Sequence, residues 1–347
     1  MLQQITERLQ NIMLRMRVLL VVAALVVVAG AASVSLEDLE FHAWKLKFGK
    51  SYSSLDEESW RKMIWLDNLK LVLEHNMLAD QGIKSYRLGM NHFADMDYQE
   101  YQQMSKGCLG SFNWTDTHSA TTFLKLVEGT ALPSFVDWRI EGYVTEVKDQ
   151  SHCHSCWAFS AAGALEGQMF KKKKKLVELS AQQLVDCSRG YENFGCQGGW
   201  PHNAFKYIKS SGGLETAYTY PYQAKEGECK FNHQNSWASC SGYKMVKPTE
   251  DALQYAVATI GPISVIVDAN HRSYQLYESG VYDEPACRTN YPYHAVLVVG
   301  YGTDDGQGYW LVKNSWGVGW GDEGYIKMSR NKNNQCGIAT TAAYPEV

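Results

Sequence analysis

Hydrophobic and polar positions along the 347-residue chain fall into three textures. Residues 18–29 (VLLVVAALVVVA) form an unbroken apolar run, with Arg15 and Arg17 before it and Gly30-Ala31-Ala32 after it. A basic flank, a short apolar stretch and small residues make the pattern of a secretory signal. The run falls short of the about 20 residues that a bilayer-spanning helix needs. Residues 1–32 are therefore expected to be an address, with Met13 or Met16 as an alternative start and an uncleaved anchor as the other reading. The second texture, residues 35–100, is polar with a helical period. Glu57, Arg61, Ile64, Trp65, Asn68, Val72 and Asn76 recur at spacings that keep them on one side of a helix, and Glu57 sits four residues before Arg61. A short alternating stretch follows at 86–95. Residues 104–131 read as an exposed connector.

From Leu132 the texture is dense in aromatics, Gly and Cys. Residues 156–170 suit a buried helix, and 180–187 and 202–210 suggest two more. Strand-like runs dominate after about residue 260: PISVIVDA, HAVLVVGY, YWLVKNSW and GYIKMSR. Helices first and strands later indicate an α+β protein with two packed halves. No internal repeat is visible. The Lys171–Lys175 run reads as a solvated basic patch at a helix C-terminus, with an anionic-polymer site as the alternative.

Composition narrows the function classes. Apolar residues are 45% and charged residues 20%, enough for a sizeable core and against disorder or a coiled coil. The formal net charge of −4 gives no global basic field for nucleic acid. No second segment is apolar enough for stable membrane insertion. Behind a secretory signal cysteines pair, and nine is an odd number, so at least one thiol is left over. Asn113-Trp114-Thr115 is an acceptor sequon, so a surface glycan is expected at Asn113.

Candidate chemistry concentrates in Asp149-Gln150-Ser151-His152-Cys153-His154-Ser155-Cys156-Trp157. A CxxC pair beside histidines admits a redox dithiol, half a zinc site, or a nucleophile next to a structural cysteine. Cys187 and Cys196 do not supply the second close ligand pair that zinc would want, and no early βαβ context supports a dithiol. A nucleophile needs a base, an orienting group and an oxyanion donor. His294 opens one strand and Asn314 ends the next. The 302–308 segment between them reads as a hairpin loop, so both are expected at the same end of the hairpin. A cysteine at a helix N-terminus beside a histidine has a lowered pKa. Gln150 offers side-chain N–H groups.

These residues together resemble the papain-like cysteine proteases, most closely the cathepsin L-like proenzymes, over about residues 36–347. His294 follows Cys156 by 138 residues and Asn314 by 158. The family's usual separation is about 130–150, so Asn314 falls slightly outside it. Asn314-Ser315-Trp316-Gly317 stands where the family carries its orienting Asn and a Trp that shields the His–Asn bond. Cys196-Gln197-Gly198-Gly199 resembles the segment whose glycines pair with extended substrate. The 57–76 series and Gly89-x-Asn91-x-Phe93-x-Asp95 look like the two prosegment motifs, and Leu132-Pro133-Ser134-Phe135 looks like a mature N-terminus.

The resemblance implies a papain-like two-lobed α+β fold, with a helical left lobe, a β-barrel-like right lobe and a cleft between, behind a helical prosegment. The implied division is a signal peptide (1–32), an inhibitory propeptide (33–131) and a mature domain (132–347). It implies a secreted or lysosomal cysteine endopeptidase made as a zymogen, with no cofactor or metal. Its partners would be protein and peptide substrates, its own propeptide and cystatin-like inhibitors, and it would act as a monomer. The Cys156 thiolate would attack the peptide carbonyl and Gln150 would stabilise the oxyanion. His294 would protonate the leaving amine and activate water, oriented by Asn314. Gly198, Gly199 and Trp316 would line the cleft. Trp200, Pro201, Ile266, Ala295 and Thr341 would form a narrowed apolar pocket for the residue second before the cleaved bond. Implied disulfides are Cys153–Cys196, Cys187–Cys229 and Cys287–Cys336. Cys156 would stay unpaired, Cys108 would leave with the prosegment, and Cys240 would be a buried thiol. Ser151 and His154 replace usual glycines, Tyr293 replaces Asp or Asn, and Ala295 replaces Gly. Such departures suit the alternative of a catalytically weak homologue that binds peptides or inhibitors.

Overall fold

The computed structural model describes residues 35–106, 108, 124, 127, 129, 131–289 and 293–347; the expected signal segment and Asn113 lie outside them. Two compact units divide the chain, Met1–Leu66 and Asp67–Val347. In the first, helix α1 (Leu36–Phe48) is capped by Ser35, whose hydroxyl accepts from Asp38 N while Asp38 accepts from Ser35 N. That reciprocal pair satisfies orphan donors of the first turn. Helix α2 (Leu55–Asp80) begins in the same unit, where Ser53 donates N–H and O–H to the Glu57 carboxylate. Phe41, Trp44 and Trp65 are buried together, with Phe41 5.5 Å from Trp65 between ring centres.

In the second unit the remaining part of α2 is followed by β1 (Tyr86–Leu88) and α3 (Tyr98–Lys106). The polar positions of the helical series are used as tethers. Asn68 donates to the carbonyls of Ala94 and Met96, and Asn76 both donates to Leu88 O and accepts from Leu88 N. Strand β2 (Val136–Asp137) leads to the three helices α4 (Cys156–Lys173), α5 (Ala181–Cys187) and α6 (Pro201–Ser211). Small strands β3 (Leu214–Glu215) and β4 (Ser236–Ala238) pair with each other. Next come β5 (Gly242–Val246), α7 (Glu250–Thr259), β6 (Ile263–Val267), α8 (Arg272–Gln275) and β7 (Tyr277–Tyr282). The chain closes with β8 (His294–Asp304), β9 (Gln307–Lys313), β10 (Tyr325–Ser329) and β11 (Ala342–Glu346).

The main sheet runs β1-β7-β10-β9-β8-β6-β11-β5, with β2 paired to β8. Its central strands β6 and β8 are buried almost throughout, which explains their unbroken apolar runs. Helix α4 packs on this sheet through small residues: a Cβ on Gly163 would lie 2.7 Å from Leu297 Cδ2, and Ser160 Oγ donates to Val296 O. The mixed helix-and-sheet architecture expected from the sequence is therefore present. The lysine run ends α4, with Lys174 as left-handed C-cap. Lys171 donates to the Thr259 and Ile260 carbonyls at the end of α7, and Lys173 sits 4.4 Å over the Trp237 ring. Those cations neutralise carbonyl ends and cover an aromatic face within the protein.

Candidate active site

Cys156 is the first residue of α4, and the Cys153–Cys196 disulfide pins the loop leading into it. Ser155 precedes the helix with its hydroxyl engaged by Tyr222 OH at 2.6 Å, leaving no side-chain cap on the helix start. The first-turn N–H groups and the helix dipole thus favour negative charge at this end. Across from it, β8 and β9 pair antiparallel from Asp304↔Gln307 back to Leu297↔Lys313, with a bulge between Val298 and Gly300. This hairpin carries His294 and Asn314 to one end, where His294 Nε2 and Asn314 Oδ1 are 2.7 Å apart. Trp316 stacks on the imidazole at 4.5 Å between ring centres and 28° between planes. His294 is fully buried, and burial pushes its pKa down to about 4 although the bond to Asn314 opposes the shift. Among the described residues nothing hydrogen-bonds to its Nδ1.

Gln150 is buried and held on three sides. Its Oε1 accepts from Ser315 Oγ at 2.7 Å, its N–H donates to Ser315 O at 2.8 Å, and its carbonyl accepts from Tyr222 OH at 2.8 Å. Its Nε2 donates to Cys153 O at 3.3 Å and has its other N–H toward the site, 3.9 Å from Cys108 Sγ. The sequence assigns neither Ser315 nor Tyr222 a role in holding Gln150. Ser315, directly after Asn314, was the discoverable one; Tyr222 carries no local signal.

One expectation is overturned. Cys156 does not stay unpaired, because it forms a disulfide with Cys108, with 5.9 Å between Cα atoms. The sequence predicts that Cys108, within the 104–131 connector, leaves with the prosegment. The chain instead brings Cys108 into the site, where Gly199 N donates to Cys108 O at 3.1 Å. Gln150 Nε2 lies 3.9 Å from Cys108 Sγ, and Cys108, Cys156 and His294 offer atoms all within 4.8 Å of one another. The other pairs are Cys153–Cys196, Cys187–Cys229 and Cys287–Cys336. Cys240 is the free cysteine among the described residues, buried, with its thiol pushed up to about 11 by burial.

Gly198 takes φ 103°, a region that favours glycine. A Cβ on Gly199 would meet Asn193 Oδ1 at 2.6 Å and the Trp157 ring at 2.7 Å, so only glycine fits at this position. Of the expected pocket residues, Ile266 and Ala295 are register partners on β6 and β8. Trp200 and Pro201 begin α6, and Thr341 is buried just before β11. Ser151 has φ 53°, which accounts for a glycine being usual there. Half-buried His154 has its pKa lowered, first by burial and then by His152. Tyr293 extends the β8 edge by donating its N–H to Val267 O.

Residues 67–108 pack on the same face. Strand β1 pairs antiparallel with β7, and a Cβ on Gly280 would lie 2.5 Å from Ser85 O, so glycine (φ 84°) permits that approach. Asn91 donates to Gln275 O, and Gln275 returns bonds to the Phe93 and Met96 carbonyls. Phe93 meets Trp316 edge-on at 5.3 Å. Among the described residues no helix is long and apolar enough to cross a membrane.

Comparison with known proteins matches residues 132–346 to the papain family cysteine proteases and residues 41–101 to the cathepsin propeptide inhibitor domain. Cathepsin L of Sarcophaga peregrina is 48% identical over 338 residues, covering 94% of this chain and 98% of that protein. Digestive cysteine proteinase 2 of Homarus americanus is 48% identical, covering 92% and 97%. The structure of digestive procathepsin L 3 from Tenebrio molitor larval midgut superposes with a TM-score of 0.83 at 40% identity, covering 90% of this chain and all of that one. With a propeptide inhibitor domain ahead of the protease domain, the chain belongs to the papain family of cysteine proteases, as a cathepsin L-like cysteine endopeptidase made as a zymogen.

Proposed function

We propose that this zymogen hydrolyses peptide bonds through Cys156, His294, Asn314 and Gln150, once its propeptide has left the site. The observation that carries the reading is the His294 ring, fixed by Asn314 through Nε2 and roofed by Trp316, with its unpartnered Nδ1 beside Cys156. That arrangement presets one ring nitrogen for proton transfer with the sulfur. The freed thiolate at the start of α4 attacks the substrate carbonyl and forms a thioester through a tetrahedral oxyanion. Gln150 Nε2 and the Cys156 backbone N–H receive the oxyanion charge. His294 gives its proton to the departing amine, then takes one from the water that hydrolyses the thioester. The Gly199 N–H, which binds the Cys108 carbonyl in the zymogen, is positioned to hold substrate backbone in the same way.

The finer assignments belong to this proposal. They divide the chain into a signal segment 1–32, a propeptide 33–131 and a mature domain 132–347, with a glycan at Asn113. The enzyme is a monomer, acts in the lysosome or outside the cell, and is open to cystatin-like inhibitors. Its pocket of Trp200, Pro201, Ile266, Ala295 and Thr341 prefers modest aliphatic residues to aromatic ones. A peptide-library profile dominated by Phe at that position would contradict the pocket reading. The decisive experiment is Cys156→Ala: the protein folds and is secreted, and peptide hydrolysis by acid-processed enzyme falls by about 10⁴-fold or more. Retained hydrolysis sinks the assignment.

A further inference from the structure

Peptide hydrolysis by Cys156 gives Cys108 no task, yet Cys108 occupies the place a substrate would take. Its carbonyl accepts from Gly199 N, its sulfur lies 3.9 Å from Gln150 Nε2, and it is bonded to Cys156 itself. Cys108 and Cys156 are both fully buried, and Ala295 N–H points at Cys156 Sγ from 3.3 Å.

Resting on the assignment of Cys156 as nucleophile, we infer that Cys108 is a covalent thiol lock on it, so that this zymogen needs a small thiol reductant as well as propeptide release before it is active. The lock closes by thiol–disulfide exchange in an oxidising compartment. One cysteine thiolate attacks a low-molecular disulfide and expels one thiolate; the second cysteine displaces the other. Two protein thiols lose two electrons and two protons, and the external disulfide becomes two thiols. Opening reverses this. An external thiolate attacks Cys108 Sγ and Cys156 leaves as thiolate beside His294, and a second external thiol then frees Cys108 and forms the external disulfide. Cys156 starts α4, whose first-turn N–H groups favour a departing thiolate, so attack on Cys108 sulfur is the faster route. Because both sulfurs are buried, attack follows loosening of residues around Cys108. Cleavage near Leu132 alone therefore leaves the Cys108 fragment attached and the site blocked.

The test uses the full-length proenzyme from a secretory host, never exposed to reductant. Digestion under non-reducing conditions is expected to yield a cross-linked peptide pair containing Cys108 and Cys156. After acid processing without thiol, Cys156 is expected to resist a thiol-directed epoxide, and the propeptide fragment to remain attached on a non-reducing gel. Brief dithiothreitol restores stoichiometric labelling and releases the fragment. Cys108→Ala should label fully after acid processing with no thiol at all. Equal labelling of wild type and Cys108→Ala without thiol overturns the lock, as does absence of the cross-linked pair, a readout that needs no variant to fold. Release by a chelator instead of a thiol also overturns it, in favour of a metal held by Cys108, Cys156 and His294. If Cys108→Ala labels fully yet cleaves no peptide, the lock stands and the protease reading falls.

Discussion

Residues 85–101 and residue 108 hold the same face of the protein by different physics. The first region uses β1 pairing, the reciprocal Asn91 and Gln275 bonds, and Phe93 on Trp316. Each such contact is reversible and modest in free energy, and together they form part of a propeptide inhibitor whose grip depends on solution conditions and on intact packing only as any non-covalent contact does. Cys108 uses one covalent bond, indifferent to those variables and sensitive to thiols. A non-covalent plug can be displaced by acid; a disulfide on the nucleophile cannot. The contrast separates two signals, acidity and reducing power, that a single cleft would otherwise read as one.

This contrast is tested most forcefully at Phe93. Phe93→Ala removes a buried ring from Trp316 and should weaken the propeptide by about 3 kcal/mol, some 10²-fold in affinity. In a Cys108→Ala background this should appear as faster acid activation. In the wild-type background without thiol it should be hidden, because the bond still holds. Activation kinetics of the four proteins check this, and equal rates in the first background would show that the ring contributes little.

Gln150→Ala probes the catalytic side. Loss of one oxyanion donor should lower kcat of the reduced, processed enzyme by about 10²-fold or more while KM changes little. A change confined to KM would give Gln150 a binding role instead.

Acid should act on the non-covalent hold through buried histidines. Burial lowers the pKa of His294 to about 4 and of His202 to about 3, and His75, whose Nε2 faces Tyr86 O, is lowered too. The unfolded chain takes up these protons near pH 6.5, the folded zymogen only at lower pH. Stability is therefore full above about 6.5 and falls with pH from there toward 4, by up to about 1.4 kcal/mol per pH unit for each group. Urea unfolding of the zymogen at stepped pH values measures the slope; a flat profile through this window refutes it.

The mildest change is expected at Ser151, which sits at φ 53°. Ser151→Gly should relieve left-handed strain and raise stability by about 1 kcal/mol or less, since glycine adds unfolded-state entropy. Thermal unfolding of the reduced enzyme reads it, and a lower Tm would mean that the Ser151 side chain contributes more than the strain costs.

Local chemistry was written plainly in the sequence. The apolar runs of β6 and β8 announced buried strands, and the loop at 302–308 implied that His294 and Asn314 meet, because an antiparallel hairpin returns the chain to where it began. The helical series at 57–76 was legible as a face, but not the use of Asn68 and Asn76 as tethers to distant carbonyls. The lysine run showed charge, not the carbonyls and the Trp237 ring it caps. Tyr222 behind Gln150 was illegible because a hydrogen bond across 72 residues leaves no periodic trace, whereas Ser315 at least adjoins Asn314 in the chain.

The amino-acid order alone carried the family's chemistry: a cysteine at a helix start, a histidine and asparagine on adjoining strands, and an odd number of thiols. Which cysteines pair, leaving Cys240 as the free one among the described residues, was settled by tertiary structure. Parity counts cysteines without regard to position, whereas a disulfide requires two sulfur atoms to meet in space. Residues 67–106 docking on the protease face bring the chain to the cleft, and that path puts Cys108 against Cys156.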